Sequence, residues 1–210
     1  MLTPDPIGID ELKSTLLART DQADLQRLLG LTEGMISMEE GRLLYDLARA
    51  VRGAAVVEVG SYRGRSTVAL ARGSLDGHRV PVYAIDPHEN FEGVLGGQFG
   101  HEDRGAFMSA MLATGSFEVV RLINLSSELV TPAWSEPIGL LWIDGDHRYE
   151  GVRRDFECWA PHLAEGAVVA FDDATDPELG PWKLLEELSA AGRLEASACT
   201  GKVRTFRWLG

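Results

Sequence analysis

A chain of 210 residues, 45% hydrophobic and 25% charged, has the size and composition of one soluble domain with a full core. Its net charge of −12 argues against nucleic acid or an anionic membrane as a partner. Two cysteines without metal-type spacing, Cys158 and Cys199, exclude a disulfide framework and favour a reducing cytoplasm; residues 1–8 lack the pattern of a signal peptide, and no stretch reaches the roughly 20 apolar residues of a membrane span.

Leu12, Leu16, Leu17, Leu25, Leu28 and Leu29 recur at three- and four-residue intervals and predict a helix over residues 9–29. After a break at Gly30–Gly34, Ser37-Met-Glu-Glu40 reads as a capping box opening a helix with Leu43, Leu44, Leu47 and Val51 on one face. This helical cap, about 9–53, leads into a core of about 54–210, and the whole is expected to be a single domain. The cap's amphipathic face would cover the core or a second subunit, and a homodimer is expected.

From residue 55 strands and helices alternate. Strands are expected at Ala55–Val59, Val80–Ile85, Phe117–Ile123, Ile138–Ile143 and Ala167–Phe171. Helices are expected at 65–72, at 104–114, after a cap at Ser126, across Val152, Phe156, Trp159 and Leu163, and from about Pro181 through Leu184, Leu185 and Leu188. Two closing strands fit 194–199 and 202–208. This alternation implies a parallel, doubly wound α/β sheet with an antiparallel edge. Residues 88–104 carry glycines at 93, 96, 97 and 100 without a period, and read as a mobile lid at the carboxyl edge where such folds bind ligands. His88 and His101 stand in that lid within reach of a substrate.

Chemistry concentrates at the strand ends. Two hydrophobic strands end in Asp144 and in Asp172 and Asp173. Three carboxylates in one crevice repel each other, and oxygen-only ligands suit Mg²⁺, Ca²⁺ or Mn²⁺. His147, three residues past Asp144, is placed to act as a base beside that ion. The loop Glu58-Val-Gly-Ser-Tyr-Arg-Gly-Arg-Ser-Thr67 has the spacing G-x-x-x-G, with Gly60 and Gly64, and departs from the dinucleotide fingerprint. Glu58 favours a cationic amino group over pyrophosphate, and Asp86 at the next strand end suits the two hydroxyls of a ribose. Together they favour S-adenosylmethionine over NAD.

These residues resemble the class I S-adenosylmethionine-dependent methyltransferases, in particular the Mg²⁺-dependent small-molecule O-methyltransferases. The glycine loop is similar to that of catechol O-methyltransferase, including the tyrosine at Tyr62. The pattern Ile-Asp-Gly-Asp-His followed by Phe-Asp-Asp is closer to the macrocin, mycinamicin and methylmannoside sugar O-methyltransferases. The resemblance runs from about Gly34 to about Leu188. It implies a Rossmann-like seven-stranded sheet, mostly parallel, whose C-terminal strand is antiparallel. It implies that Ile36, Ser37, Glu58, Gly60, Ser61, Gly64 and Ser66 hold the methionine part of the cofactor, that Asp86 binds the ribose, and that Ser126 and Ser127 flank the adenine. Asp144, next to the sulfonium, would bind Mg²⁺ with Asp172 and Asp173, at spacings of 28 and 29 residues, and His147 would be the base.

The expected reaction is methyl transfer to a hydroxyl of a small molecule, with a sugar favoured by His147. A catechol or phenol is the alternative, with Trp142 and Trp182 as walls of an aromatic slot. Two other classes stay open: an NAD-linked oxidoreductase, and a non-catalytic binding protein on the same scaffold.

Overall fold

Five consecutive buried residues, Ala55–Val59, make β1 a strand covered on both faces. Its side chains alternate between two cores: Val56 joins one and Val57 and Val59 the other. A computed structural model of the protein describes residues 22–210. In chain order it contains α1 (Gln22–Gly30), α2 (Met38–Ala50), β1, α3 (Arg65–Asp76), β2 (Val82–Ile85), β3 (Phe91–Glu92), β4 (Gln98–Phe99), α4 (His101–Thr114) and β5 (Val120–Ile123). Then follow α5 (Ser127–Val130), β6 (Ile138–Ile143), α6 (Tyr149–Trp159), β7 (Leu163–Phe171), α7 (Gly180–Ala190), β8 (Leu194–Thr200) and β9 (Val203–Trp208).

Seven strands form one sheet in the order β5-β2-β1-β6-β7-β9-β8. β5, β2, β1, β6 and β7 run parallel, and β9 is antiparallel to both its neighbours. The order reverses direction between β2 and β6, leaving a crevice at the carboxyl edge. One face packs Leu140 and Trp142 against Leu44, Tyr45, Leu70 and Phe107. The other packs Leu141 and Ile143 against Phe156, Trp159, Leu185 and Phe206. No helix among the described residues is long and apolar enough to cross a membrane.

The fold class agrees with the expectation, down to the seven strands and the antiparallel C-terminal strand, and the differences are local. The first half of the helix expected over 9–29, with Leu12, Leu16 and Leu17, lies outside the described residues. α2 buries Leu44, Tyr45 and Ala48, while Leu43 and Leu47 pack only partly against the core. α6 stops at Trp159, because Pro161 cannot continue it, and Leu163 opens β7 instead of closing the helix. β2 starts after Pro81, and residues 116–118 form a short 3₁₀ turn before β5. The segment after Asp86 is partly ordered: Phe91–Glu92 pairs with Gln98–Phe99 as a hairpin, and α4 begins at His101.

Register sets the site. Val59 lies opposite Ile85 and Ile143, and Ile143 opposite Phe171. The next residues therefore stand in one row: Gly60 N bonds Ile85 O at 3.0 Å, Asp144 N bonds Val59 O at 2.8 Å and Asp172 N bonds Ile143 O at 3.0 Å. Gly60 takes φ +83°, and a Cβ there would collide with the Asp144 carbonyl and Gly145 Cα. Only glycine lets the loop cross β6 this closely. Glu58, in the middle of β1, is fully buried, and its two oxygens accept from the Ser66 and Thr67 hydroxyls of α3. Burial pushes its pKa up to about 7, against the pull of those two hydrogen bonds.

Two expectations follow from this loop. Gly53→Ala, at φ +63° in open space, should cost about 1–2 kcal/mol for the left-handed backbone. Gly60→Ala should cost at least about 2 kcal/mol more, since backbone overlap is added. Equal urea midpoints would remove the close-approach argument. Glu58 keeps its proton to higher pH in the folded chain than in the unfolded one, where the value is about 4.3. Its contribution is complete below that value and is lost as pH rises towards about 7. Glu58→Gln should therefore gain stability relative to the parent between about pH 5 and pH 8, by on the order of 2–3 kcal/mol. A pH-independent difference in urea denaturation would show that Glu58 is charged throughout.

Candidate functional site

A cavity of about 550 Å³ opens along the carboxyl edge between the Gly60 loop, the β3–β4 hairpin and the ends of β6 and β7. Gly60, Ser61, Ser66 and Ile36 line it, together with Asp86, Ser126 and Ser127. Asp144, His147, Asp172 and Asp173 line it as well, with Asp144 directly beside Gly60. Of the expected cofactor contacts, Ser37, Glu58 and Gly64 stand behind the wall. Ser37 is spent as the N-cap of α2: its hydroxyl accepts from Glu40 N at 3.2 Å, and its own amide donates to Glu40 Oε2 at 2.7 Å. Gly64 holds the left-handed turn, at φ +93°, that starts α3.

Asp86 faces the cavity, but much of its acceptor capacity is already used. Oδ2 accepts from Ser61 N at 2.8 Å, Tyr62 N at 3.0 Å and Ser61 Oγ at 3.3 Å, and Oδ1 accepts from His88 N at 2.8 Å. Oδ2 is thus spent on the loop, and only Oδ1, with a single donor, keeps an acceptor position for a ligand. His88 was expected within reach of a substrate. It does line the cavity, but its ring is buried, with Nε2 2.9 Å from the Tyr62 carbonyl and Nδ1 3.0 Å from the Asn124 amide. It pins the lid's root. His101 is exposed at the start of α4 and does not line the cavity.

The hairpin is clamped on both sides. Phe99 meets Tyr62 edge-on at 5.2 Å, and the Arg148 guanidinium lies 5.3 Å over Phe91 and donates to Glu92 O at 2.9 Å. Trp142 and Trp182 supply no wall: Trp142 is in the core, and Trp182 stacks under Arg204. Tyr62, Phe91 and Phe99 are the aromatic groups facing the cavity.

Ser126 is the N-cap residue of α5, with no hydrogen bond from its side chain to the helix. The Ser127 hydroxyl points inward, donating to Asp155 Oδ1 at 2.7 Å and accepting from Trp159 Nε1 at 3.0 Å. Burial raises the Asp155 pKa to about 6, opposed by the Ser127 hydrogen bond. Asp155 also lines the cavity. Sequence reading missed it because it sits mid-helix in α6, without a motif around it.

In the same cavity, ligand atoms of Asp144, His147 and Asp172 all lie within 4.8 Å of one another. Burial pushes Asp144 up to about 7 and Asp172 up to about 8, and the proximity of Asp144 adds to the shift at Asp172. Asp172 Oδ1 and His147 Nε2 are buried without a hydrogen-bond partner among the described residues. An orphaned carboxylate oxygen beside the Asp144 carboxylate suits a bound cation, so Asp144 and Asp172 fit a divalent ion, with the lone pair of His147 Nε2 left for a proton.

Asp173 departs from this convergence. Its backbone is left-handed, at φ 46°, a conformation that aspartate tolerates better than most residues. Its Oδ2 lies 3.3 Å from His147 Nδ1, and its Oδ1 lies 3.3 Å from Lys202 Nζ. With Nδ1–H turned to Asp173, the basic nitrogen of His147 is Nε2, on the side of Asp144.

Lys202, absent from the sequence reading, is the cation of the cluster. It comes from the β8–β9 turn, and its Nζ donates to Asp172 Oδ2 at 2.6 Å. Burial opposes its charge, but Asp172, Asp144 and Asp173 outweigh that and raise its pKa. The available signal was the rarity of lysine: the others in the chain are Lys13 and Lys183.

Residues 57–174, more than half of the chain, match the family described as Methyltransferase domain. The chain is 28% identical over 169 residues to Catechol O-methyltransferase of Mycobacterium tuberculosis, covering 80% of this chain and 66% of that one. It spans 16% and 66% of the lengths of the first two curated relatives it matches. In shape it is similar to the O-methyltransferase TomG of Streptomyces achromogenes, solved in complex with SAM, with a TM-score of 0.66, 20% identity and 96% of both chains covered. It is also similar to the apo form of CalS11, a TDP-rhamnose 3'-O-methyltransferase, with a TM-score of 0.61, 17% identity and 98% and 88% of the two chains covered. At such identities the solved structures speak for the fold, while the family match spans the Gly60 loop and all three strand-end aspartates: the chain belongs to the methyltransferase-domain family.

Proposed function

We propose that this protein is an S-adenosylmethionine-dependent, Mg²⁺-dependent O-methyltransferase whose acceptor is a sugar or glycoside hydroxyl with a neighbouring oxygen able to chelate. The observation that carries the reading is the convergence of Asp144, His147 and Asp172 in the same cavity as the Gly60 loop and Asp86. CalS11, one of the structures of similar shape, acts on a sugar nucleotide by its own description. The catechol alternative keeps one support, the 28% identity to Catechol O-methyltransferase.

When bound, the cofactor supplies an electrophilic methyl group and the ion supplies positive charge that lowers the pKa of the acceptor hydroxyl. The protein's own residues do the rest. The backbone around Gly60 and Ser61, braced by Asp86, holds the cofactor's amino-acid end and ribose, with Glu58 fixing the loop from behind. Ser126 and Ser127 border the adenine, and Asp155 adds an acceptor there. Asp144 and Asp172 would hold the ion, and Asp173 would join them only by leaving Lys202. His147 Nε2 takes the hydroxyl proton, with its ring held by Asp173. The β3–β4 hairpin covers the reacting groups and excludes water. Holding donor and acceptor in line supplies much of the rate.

Consumption of S-adenosylmethionine across a panel of sugars and phenols, with and without Mg²⁺, tests the reading. Turnover with a sugar that stops in chelator and returns with Mg²⁺ is expected; full activity in chelator would remove the metal from the reaction. His147→Ala should bind cofactor normally yet lose about 10²–10⁴-fold in rate, with residual activity that rises with pH. Near-normal turnover would show that His147 is not the base.

Cofactor binding is tested separately by calorimetry. Asp86→Ala should weaken S-adenosylmethionine binding about 10–100-fold, the worth of hydrogen bonds to a charged group. Unchanged affinity would take Asp86 out of the cofactor site.

A further inference from the structure

The acidic cluster already contains a cation. Lys202 Nζ lies 2.6 Å from Asp172 Oδ2 and 3.3 Å from Asp173 Oδ1. Two of the three carboxylates expected to hold a divalent ion are therefore engaged by an ammonium of this same chain. The lysine backbone is fixed. Its amide donates to Glu40 Oε1 at 2.9 Å, and its carbonyl accepts from Ala174 N at 2.9 Å. Glu40 is itself buried, and its other oxygen accepts from Ser37 N at 2.7 Å. The turn carrying Lys202 is thus tied to the start of α2 and to the residue after Asp173. The side chain is held only at its head, by Asp172 and Asp173, and about 28% of it is exposed, so the head has a route to solvent once those contacts are released.

We propose that Lys202 is an internal counter-cation that holds the acidic cluster in the absence of metal and must give up Asp172 and Asp173 when a divalent ion binds. The proposal rests on the metal reading above. Charge and geometry both require the exchange. A divalent ion between Asp144 and Asp172 would face an ammonium hydrogen-bonded to one of its own ligands, and like charges at such separations repel strongly in a half-buried site. Asp173, too, has one oxygen beside Lys202 and the other beside His147, so an ion approaching it would meet the same ammonium. The lysine head therefore swings to solvent as the ion enters, and the metal-free cluster is kept from exposing three bare carboxylates. Release of Asp173 from Lys202 would leave it free to ligate the ion or to hold His147 alone.

Mn²⁺ titration followed by the loss of the free-ion paramagnetic resonance signal tests this on the full chain. Lys202→Met should bind Mn²⁺ at least tenfold more tightly than the parent, and Lys202→Arg, which keeps the charge, should not. Equal or weaker binding by Lys202→Met would overturn the proposal while leaving the metal site intact. Absence of Mn²⁺ binding by both proteins at millimolar concentration would instead overturn the metal reading and the proposal with it. A second measurement needs no variant. Acetylation of Lys202 by an amine-selective reagent, read by mass spectrometry against Lys183, should accelerate several-fold when Mg²⁺ is added to the parent protein. A Lys202 rate unchanged by Mg²⁺ that saturates the protein would likewise sink the exchange.

Discussion

The whole site depends on four parallel strands ending in step. Because Ile85, Val59, Ile143 and Phe171 are in register, the residues that follow them, Asp86, Gly60, Asp144 and Asp172, stand in one row across the sheet. That row brings three carboxylates and a glycine together without any of them being close in sequence. It also explains why the middle position admits no side chain: the chain turning over β1 must pass against the backbone leaving β6. A shift of one residue in β6 would turn Asp144 to the other face of the sheet and put a hydrophobic residue in the row.

The row concentrates negative charge, and each acid is handled differently. Glu58 is buried against two hydroxyls. Asp86 is met by backbone amides of its own loop and lid. Burial raises the pKa of Asp144 and Asp172, and Asp173 shares itself between an imidazole and a lysine. The groups around the cavity therefore differ in kind. Around Asp86 and the Gly60 loop the polar groups are already hydrogen-bonded to one another, whereas Asp172 Oδ1 and His147 Nε2 have no partner among the described residues.

Much of this was legible in the residues, for identifiable reasons. Alternation of hydrophobic strands with amphipathic helices predicts the parallel sheet, since both faces of a central strand must be covered. Ser37 and Glu40 carry their capping box in their spacing alone, and Asp144, His147 and Asp172 are local to two strand ends. What was not legible depends on neighbours distant in sequence. Glu58 reads as a ligand contact, but only the packing of α3 shows that Ser66 and Thr67 take both its oxygens. His88 reads as a substrate residue until Tyr62 and Asn124 are seen to hold both its nitrogens. Trp142 reads as a pocket wall, but it lies inside β6, short of the strand end, where helices cover both faces of the sheet. Lys202 lies in a hairpin turn, where a cation ordinarily faces water, and nothing in its local pattern marks it as the partner of a strand end 30 residues earlier.

The bond between Lys202 N and Glu40, across 162 residues of sequence, has a consequence for how the molecule comes into being. Synthesis delivers the carboxylates of β6 and β7 before it delivers the lysine that neutralises them. A contact of such long range requires a long loop to close, which costs conformational entropy. The β8–β9 turn thus works as the keystone of an arch whose other stones come earlier in the chain: it joins the start of α2 to the end of β7 and brings the neutralising charge with it.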